Sequence, residues 1–191
     1  AGECAYMLAN EQSKARATRN GAPRARLSWR LLFLSAGELG LADHMAEGMK
    51  RTRTGQEVRM ADIPADAGMG LGAFENLHDF AGGAAFSSHL TREAQACHGA
   101  PGRAFIEWAC ANAEGLGKRL RTAVQALTRE WVPPGASGQV ERVGARFALV
   151  GVAGELATEA GLTGWPAGES ARGARACFDA WLAARGGAGN G

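Results

Sequence analysis

Apolar positions in the first third of the chain change their spacing several times. Helical spacing from Ala5 to Gln12 predicts a helix over residues 2–17. Residues 31–34, Leu-Leu-Phe-Leu, are apolar without alternation, which is typical of a strand covered on both faces. Helical spacing returns over residues 39–52, and Val58, Met60 and Ile63 suggest a second strand. Two strands joined through a helix form a βαβ unit, which usually belongs to a parallel sheet.

The pattern becomes helical throughout after the glycine-rich segment DAGMGLGAF. Ser137 is a candidate N-cap and Gly161 a candidate C-cap of the most apolar of these helices. The predicted helices cover residues 84–97, 101–113, 116–131, 138–160 and 169–184. We therefore expect a helix-rich α/β protein, with a partial α/β core in residues 1–68 and a helical region in residues 69–191.

Composition adds little to this picture. The 191 residues suffice for one sizeable domain, and 21 Lys and Arg against 19 Asp and Glu leave a net charge of +2. This bulk charge does not by itself predict a nucleic-acid partner. No apolar run approaches the ~18 residues of a membrane span, so we expect no membrane partner. The four cysteines form no C-x-x-C pair and indicate reduced core residues of a cytoplasmic protein.

Motifs that would hold a phosphate or a metal are missing. A phosphate loop of the form G-x-x-x-x-G-K-[ST] is absent, because the nearest piece, Gly117-Lys118, has Asn112 in place of the first glycine and Arg119 in place of the hydroxyl. The scattered His residues predict no metal site. The chain also begins without Met and in helical rhythm, which suggests a piece of a longer protein.

Two sets of polar residues occupy positions where α/β proteins carry their chemistry. Ser35 follows the predicted strand and could orient water near a phosphate, although it could equally cap a helix. Arg53 and Arg59 flank the turn into the second strand, where guanidinium groups can neutralise a transferring phosphoryl group. The alternative for these arginines is a solvated helix C-terminus.

Further basic residues suggest anion binding. The stretch from residue 14 to residue 26 holds five basic residues and no acidic one: Lys14, Arg16, Arg19, Arg24 and Arg26. It could bind nucleic-acid phosphates or be a soluble loop, and the neighbouring Trp29 could stack on a base or join the core. Arg142 and Arg146 share one helix face, where they could pair with carboxylates such as Glu141 or Glu155 or bind an anion.

Four long segments resemble one known family, in order along the chain. They are WRLLFLSAGELGLADHMAEGMKRTRTGQEVRMADIPADAG, HGAPGRAFIE, RVGARFALVGVAGELATEAGLTGWPAGES and CFDAWLAARGGAGN. They resemble the Cch-like family of predicted bacterial helicases, which carries domain of unknown function 927 and occurs in phage and mobile-element proteins. The resemblance implies a P-loop ATPase of the AAA-plus or helicase type, of which this chain is the carboxyl-terminal part.

The resemblance also implies roles for individual residues. Ser35 would be the sensor at the strand tip, Arg53 or Arg59 the arginine finger, and Arg142 or Arg146 the lid residue that contacts the nucleotide. The longer protein would use ATP and Mg²⁺, whereas this chain alone would hold neither. The implied partners are DNA, single-stranded by expectation, and further copies of the protein. The alternative is a catalytically inactive, helicase-derived module that binds protein or DNA.

Overall fold

The computed structural model describes residues 7–47 and 59–189. Its contacts divide the chain into two compact units, Ala1–Asp62 and Ile63–Asn190. Among its described residues, the first unit contains a helical turn, a hairpin and the short helix Leu41–Glu47, and the second unit is helical.

The first unit begins with an antiparallel hairpin. Residues 7–9 are helical, and the chain then turns at Asn10. Gln12 bridges Ser28, and Ala17 bridges Pro23, both in antiparallel orientation. The helix predicted over residues 2–17 is therefore wrong beyond residue 9, because backbone groups of residues 11–18 bond across the hairpin instead of along a helix.

A short helix follows in the same unit. Helix α1, Leu41–Glu47, has the sequence LADHMAE and buries Leu41 and Met45, which lie one turn apart. The Leu41 N–H donates to the Asp62 carboxylate at 2.9 Å, so a distant side chain caps the first turn. The predicted helix over residues 39–52 is thus seen as far as Glu47, and its last part lies outside the described residues.

The predicted α/β architecture is wrong for the part of the chain that the structure describes. That part contains two isolated bridges and no sheet, so no βαβ piece is present in it. Residues 31–34 have no regular secondary structure, and residues 59–63 form a turn and an irregular segment. A strand buried on both faces needs neighbouring strands and covering layers. Residues 31–34 have neither, and Leu34 is 99% exposed.

The second unit contains the five predicted helices, which are confirmed. They are α2, Gly83–Ala96; α3, Ala100–Ala111; α4, Ala113–Trp131; α5, Gly138–Glu159; and α6, Glu169–Ala184. Non-helical torsion angles at Glu114 and Gly115 kink the start of α4, so its regular part begins close to the predicted residue 116. No helix of the described residues is long and apolar enough to cross a membrane.

Helices α4, α5 and α6 pack against one another and form the core of this unit. Its buried apolar side chains are Trp131, Val140, Val143, Ala148, Val152, Leu156, Ala174, Phe178 and Trp181. Phe178 is fully buried and its ring lies 5.9 Å from those of Phe147 and Trp181. By contrast, α2 and α3 bury no residue at all.

Close backbone approach fixes how α5 crosses α6. A methyl group added at Gly154 would lie 1.8 Å from the Ser170 Oγ and 2.6 Å from its Cβ. The Glu155 carboxylate next to it accepts the N–H groups of Gly168 and Ala171, at 2.8 and 3.0 Å. A side chain of α5 therefore satisfies the first amides of α6.

Turns at both ends of α5 agree in part with the prediction. Ser137 is the N-cap by position, but its hydroxyl makes no capping hydrogen bond. Gly161 follows the C-cap Ala160 with φ +74°, and the Leu162 N–H bonds back to the Ala157 carbonyl. This is the Schellman arrangement, which favours glycine because of the positive φ.

The cysteines differ from the expectation of buried core residues. Cys97 and Cys110 are exposed, Cys177 is half-buried, and all three are free thiols. Cys4 lies outside the described residues. The expectation of burial is wrong for Cys97, which lies just after α2, and for Cys110, which lies on α3, because neither helix buries a residue.

Candidate nucleic-acid interface

The most basic surface of the described residues is the hairpin of residues 11–29, called here the basic hairpin. Its turn runs from Thr18 to Ala22, where the Thr18 N–H donates to the Ala22 carbonyl at 2.8 Å. The Gly21 N–H donates to the Thr18 carbonyl, and Gly21 has φ +78°. Asn20-Gly21 suits this turn, because asparagine and glycine tolerate the backbone angles of tight hairpins.

The two strands of the basic hairpin are joined by a few backbone bonds, spread from the turn to the base. The Ser13 N–H donates to the Leu27 carbonyl at 2.8 Å, and the Leu27 N–H donates to the Ser13 hydroxyl at 3.0 Å. At the base, the Trp29 N–H donates to Glu11, and the Trp29 indole N–H donates to the Leu8 carbonyl at 2.9 Å. Trp29 is half-buried there, so it anchors the hairpin and is not a fully exposed stacking surface.

This pairing brings the basic side chains together from both strands. The Arg24 N–H donates to the Arg16 carbonyl at 2.8 Å, so these two arginines lie opposite each other. Lys14 and Arg26 face each other two residues nearer the base of the hairpin, next to Ser13 and Leu27. Arg19 lies in the turn. All five side chains are exposed.

The basic hairpin also lines a concave surface. A groove of about 650 Å³ is bordered by Lys14, Arg16 and Arg24, together with Met7, Ser13, Ala25 and Leu27. Three cationic side chains thus surround a floor that is partly apolar. Such a groove can hold phosphate groups at its rim.

The stretch of chain that forms the basic hairpin itself carries few acidic residues. Glu11 is the one acidic residue between positions 11 and 30, and its carboxylate lies 3.9 Å from the Arg30 guanidinium. That contact is exposed and loose, so it neutralises little of the positive charge. The basic hairpin therefore concentrates positive charge locally in a chain whose net charge is only +2.

Of the three catalytic candidates in the first unit, the structure describes Ser35 and Arg59. Ser35 is exposed in the irregular segment after residues 31–34. It does not cap a helix, because α1 begins six residues later and is capped by Asp62. Arg59 is half-buried in a turn. Arg53 lies outside the described residues, so the arginine-finger assignment stays a prediction.

Both nucleotide-lid candidates lie in the first half of α5. Arg142 is exposed, and its Nε donates to the Gly138 carbonyl at 3.0 Å. Arg146 is half-buried. Glu155, an expected carboxylate partner for this pair, instead caps α6. Their role in nucleotide binding stays a prediction.

Ion pairs elsewhere in the second unit tie helices to one another. The Arg119 guanidinium makes a two-point contact with the Glu159 carboxylate, joining α4 to the end of α5. This hydrogen-bonded contact lowers the pKa of Glu159 and raises that of Arg119. Within α6, Arg172 bonds Glu169 and lowers its pKa, whereas Arg175 of α6 pairs with Glu130 of α4 at 3.2 Å. These pairs are structural links, and within the described residues no cluster of three His, Cys, Asp or Glu side chains forms a metal site.

Sequence reasoning found the cations but missed their arrangement. Lys14, Arg16 and Arg19 were expected to bind nucleic acid, whereas Arg24 now stands opposite Arg16 with the same exposure. The sequence signal for this arrangement is Asn20-Gly21, a dipeptide typical of tight hairpin turns. Read as a hairpin turn, it would have paired the two basic stretches.

Comparison with known proteins yields no relative. The chain matches no protein-family model, no curated protein and no solved structure. The resemblance to the Cch-like family therefore stays a prediction that rests on the quoted segments alone.

Proposed function

We propose that this chain is a nucleic-acid-binding module whose basic hairpin holds backbone phosphates. The observation that carries the proposal is the pairing of two basic stretches, with Arg16 opposite Arg24 and Lys14 and Arg26 beside them. All of these side chains are exposed, and no acidic residue lies between positions 14 and 26. This function corresponds to the alternative from the sequence, a module that binds DNA, and it uses the residues expected to contact nucleic acid, Lys14, Arg16 and Arg19.

The physical basis is the exchange of counterions. Exposed lysine and arginine side chains neutralise phosphates and release the cations condensed on them, so the affinity falls as salt rises. Arginine adds a planar set of donors that fits phosphate oxygens. A hairpin restricts the backbone of all five residues, which lowers the ordering cost that a disordered basic loop would have on binding.

The test is binding of a fluorescently labelled oligonucleotide, measured by anisotropy from low to moderate salt. We compare the unaltered chain with the Arg16→Ala/Arg24→Ala variant. The matched control is Arg92→Ala/Arg103→Ala, which removes two exposed arginines from α2 and α3. Each phosphate contact contributes roughly 0.7–0.9 to the slope of log affinity against log salt, so the hairpin variant should reduce that slope by about 1–2.

The expected result is weaker binding and a shallower salt slope for the hairpin variant only. Equal loss in the control would mean that the chain attracts nucleic acid through diffuse charge, and the proposal would then be wrong. Absence of any salt-dependent binding by the unaltered chain would also contradict it. Anionic lipid vesicles belong in the same titration, since preference for vesicles would assign the cations to a different polyanion.

A role in an ATP-driven motor remains a prediction from the family resemblance. Its tests belong to the longer protein that the resemblance implies. There, ATP turnover stimulated by DNA and lost in Arg53→Ala or Arg59→Ala would support it. The nucleic-acid proposal does not depend on that outcome, because the basic hairpin is complete within this chain.

A further inference from the structure

The apolar run that follows the basic hairpin is the most exposed apolar segment of the first unit. Leu31, Leu32 and Phe33 are 60, 59 and 50% exposed, and Leu34 is 99% exposed. Such a run is unusual on a surface, where large apolar side chains normally occur singly. Nucleic-acid binding by the hairpin gives these side chains no role.

No described residue forms a backbone hydrogen bond with this run. Residues 30–37 show no helix, turn or bend, and they take part in none of the backbone hydrogen bonds among the described residues. They continue directly from the second strand of the hairpin, which ends at Trp29. The opposite strand cannot extend alongside them, because residues 7–9 are helical. A segment with unpaired backbone groups that continues from a hairpin can pair with a strand of another chain.

Charges at the two ends of the run indicate which strand fits. Arg30 precedes it and Glu38 follows it, and both are exposed. If two copies pair antiparallel around Leu34, Arg30 of each copy lies opposite Glu38 of the other. Leu32 then lies opposite Ala36, and Leu34 lies opposite its own copy. Opposite charges at facing positions stabilise antiparallel pairs, whereas like charges oppose them.

We propose that residues 30–38 pair antiparallel with the same segment of a second copy of this chain, centred on Leu34. One face of the pair carries Leu32, Leu34 and Ala36, closed at each end by an Arg30–Glu38 contact. Gly37 lies opposite Leu31 and leaves room for that larger side chain. The weak intrachain contact of Arg30 with Glu11, at 3.9 Å, gives way on pairing.

The experiment is sedimentation equilibrium of nucleic-acid-free protein over a wide concentration range, so that bound nucleic acid cannot bridge two copies. We expect reversible dimerisation of the unaltered chain. Arg30→Glu and Glu38→Arg should each weaken it by roughly tenfold, because each replaces both Arg–Glu contacts with like-charge pairs. The double variant Arg30→Glu/Glu38→Arg should restore the dimer to within about twofold.

A second pair of variants tests the centre. Leu34→Lys places two cations opposite each other and should abolish dimerisation, whereas Met69→Lys, at a side chain 63% exposed in the second unit, should not. A chain that stays monomeric at all concentrations overturns the proposal, as does a dimer that the single charge reversals leave intact or that the double variant fails to restore. Oligonucleotide binding by the same samples reports separately on the basic hairpin.

Discussion

Single glycines decide how closely the two central helices of the second unit can approach. At Gly154 the space of a side chain is already occupied by Ser170, with which an added Cβ would lie 1.8 Å from Oγ and 2.6 Å from Cβ. The hydroxyl could rotate away, but the Ser170 Cβ is fixed to the backbone of α6. The crossing of α5 and α6 therefore depends on the missing side chain.

We predict that Gly154→Ala destabilises the protein by about 1–3 kcal/mol, because the added methyl group forces the helices apart. The matched control is Gly173→Ala in the middle of α6, where an added Cβ meets nothing within 4 Å. That substitution should stabilise by about 0.5–1 kcal/mol through the better helix propensity of alanine. Urea unfolding measures both, and equal effects would contradict the packing argument.

At the scale of elements, the second unit divides into packed and unpacked helices. Every residue of the helical core lies in α4, α5 or α6, and α2 and α3 bury none. Aromatic contacts such as Phe74 with Phe86, at 4.8 Å, hold the start of α2 locally. Local opening should therefore cost much less in α2 and α3 than in the core helices.

Hydrogen exchange tests this division. We predict slow exchange for amides in the middle of α5 and fast exchange in α2, α3 and residues 31–34, because protection follows burial and stable backbone bonding. The measurement is mass spectrometry of deuterium uptake at a protein concentration low enough to keep the chain monomeric. Protection of residues 31–34 as strong as that around Phe147 would contradict the exposed, unpaired state described for them.

The contact between Arg119 and Glu159 gives the α4–α5 pair a dependence on pH. Because the guanidinium lowers the pKa of Glu159 in the folded state, its contribution is complete above the ordinary pKa of glutamate. It is lost as the pH falls through the lowered folded-state pKa. A double-mutant cycle with Arg119→Gln and Glu159→Gln should therefore show a favourable coupling at pH 7 that declines as the pH is lowered below the ordinary pKa of glutamate. A coupling that is unchanged by acid would contradict this assignment.

Sequence reasoning predicted the helices of the second unit well and the first unit poorly. The stripe of Val140, Val143 and their neighbours gave α5 correctly, because its periodicity reports a real buried face. The same reasoning failed at residues 31–34. An apolar run indicates side chains that favour burial, but it does not indicate which other segment would bury them. The site was predicted in part. The basic residues are evident from the sequence, whereas the turn at Asn20-Gly21 decides that Arg16 lies opposite Arg24.

For the whole molecule, the absence of a phosphate loop limits what 191 residues can do alone. No G-x-x-x-x-G-K-[ST] occurs anywhere in the sequence, so nothing supplies the loop that cradles the β- and γ-phosphates in P-loop enzymes. We predict no ATP hydrolysis by this chain above background, with or without single-stranded DNA. A sensitive phosphate-release assay measures it, and turnover abolished by Ser35→Ala would contradict the prediction.

The basic hairpin has a practical consequence for handling the protein. Trypsin cleaves after lysine and arginine, and five such residues stand exposed on a hairpin held by few backbone bonds. Limited digestion should therefore cut this segment first, and a resistant fragment containing α4, α5 and α6 should persist. If phosphates contact the same side chains, a bound oligonucleotide should slow the first cut and leave the later cuts unchanged. The rate of the first cut would then measure how much of the groove is occupied.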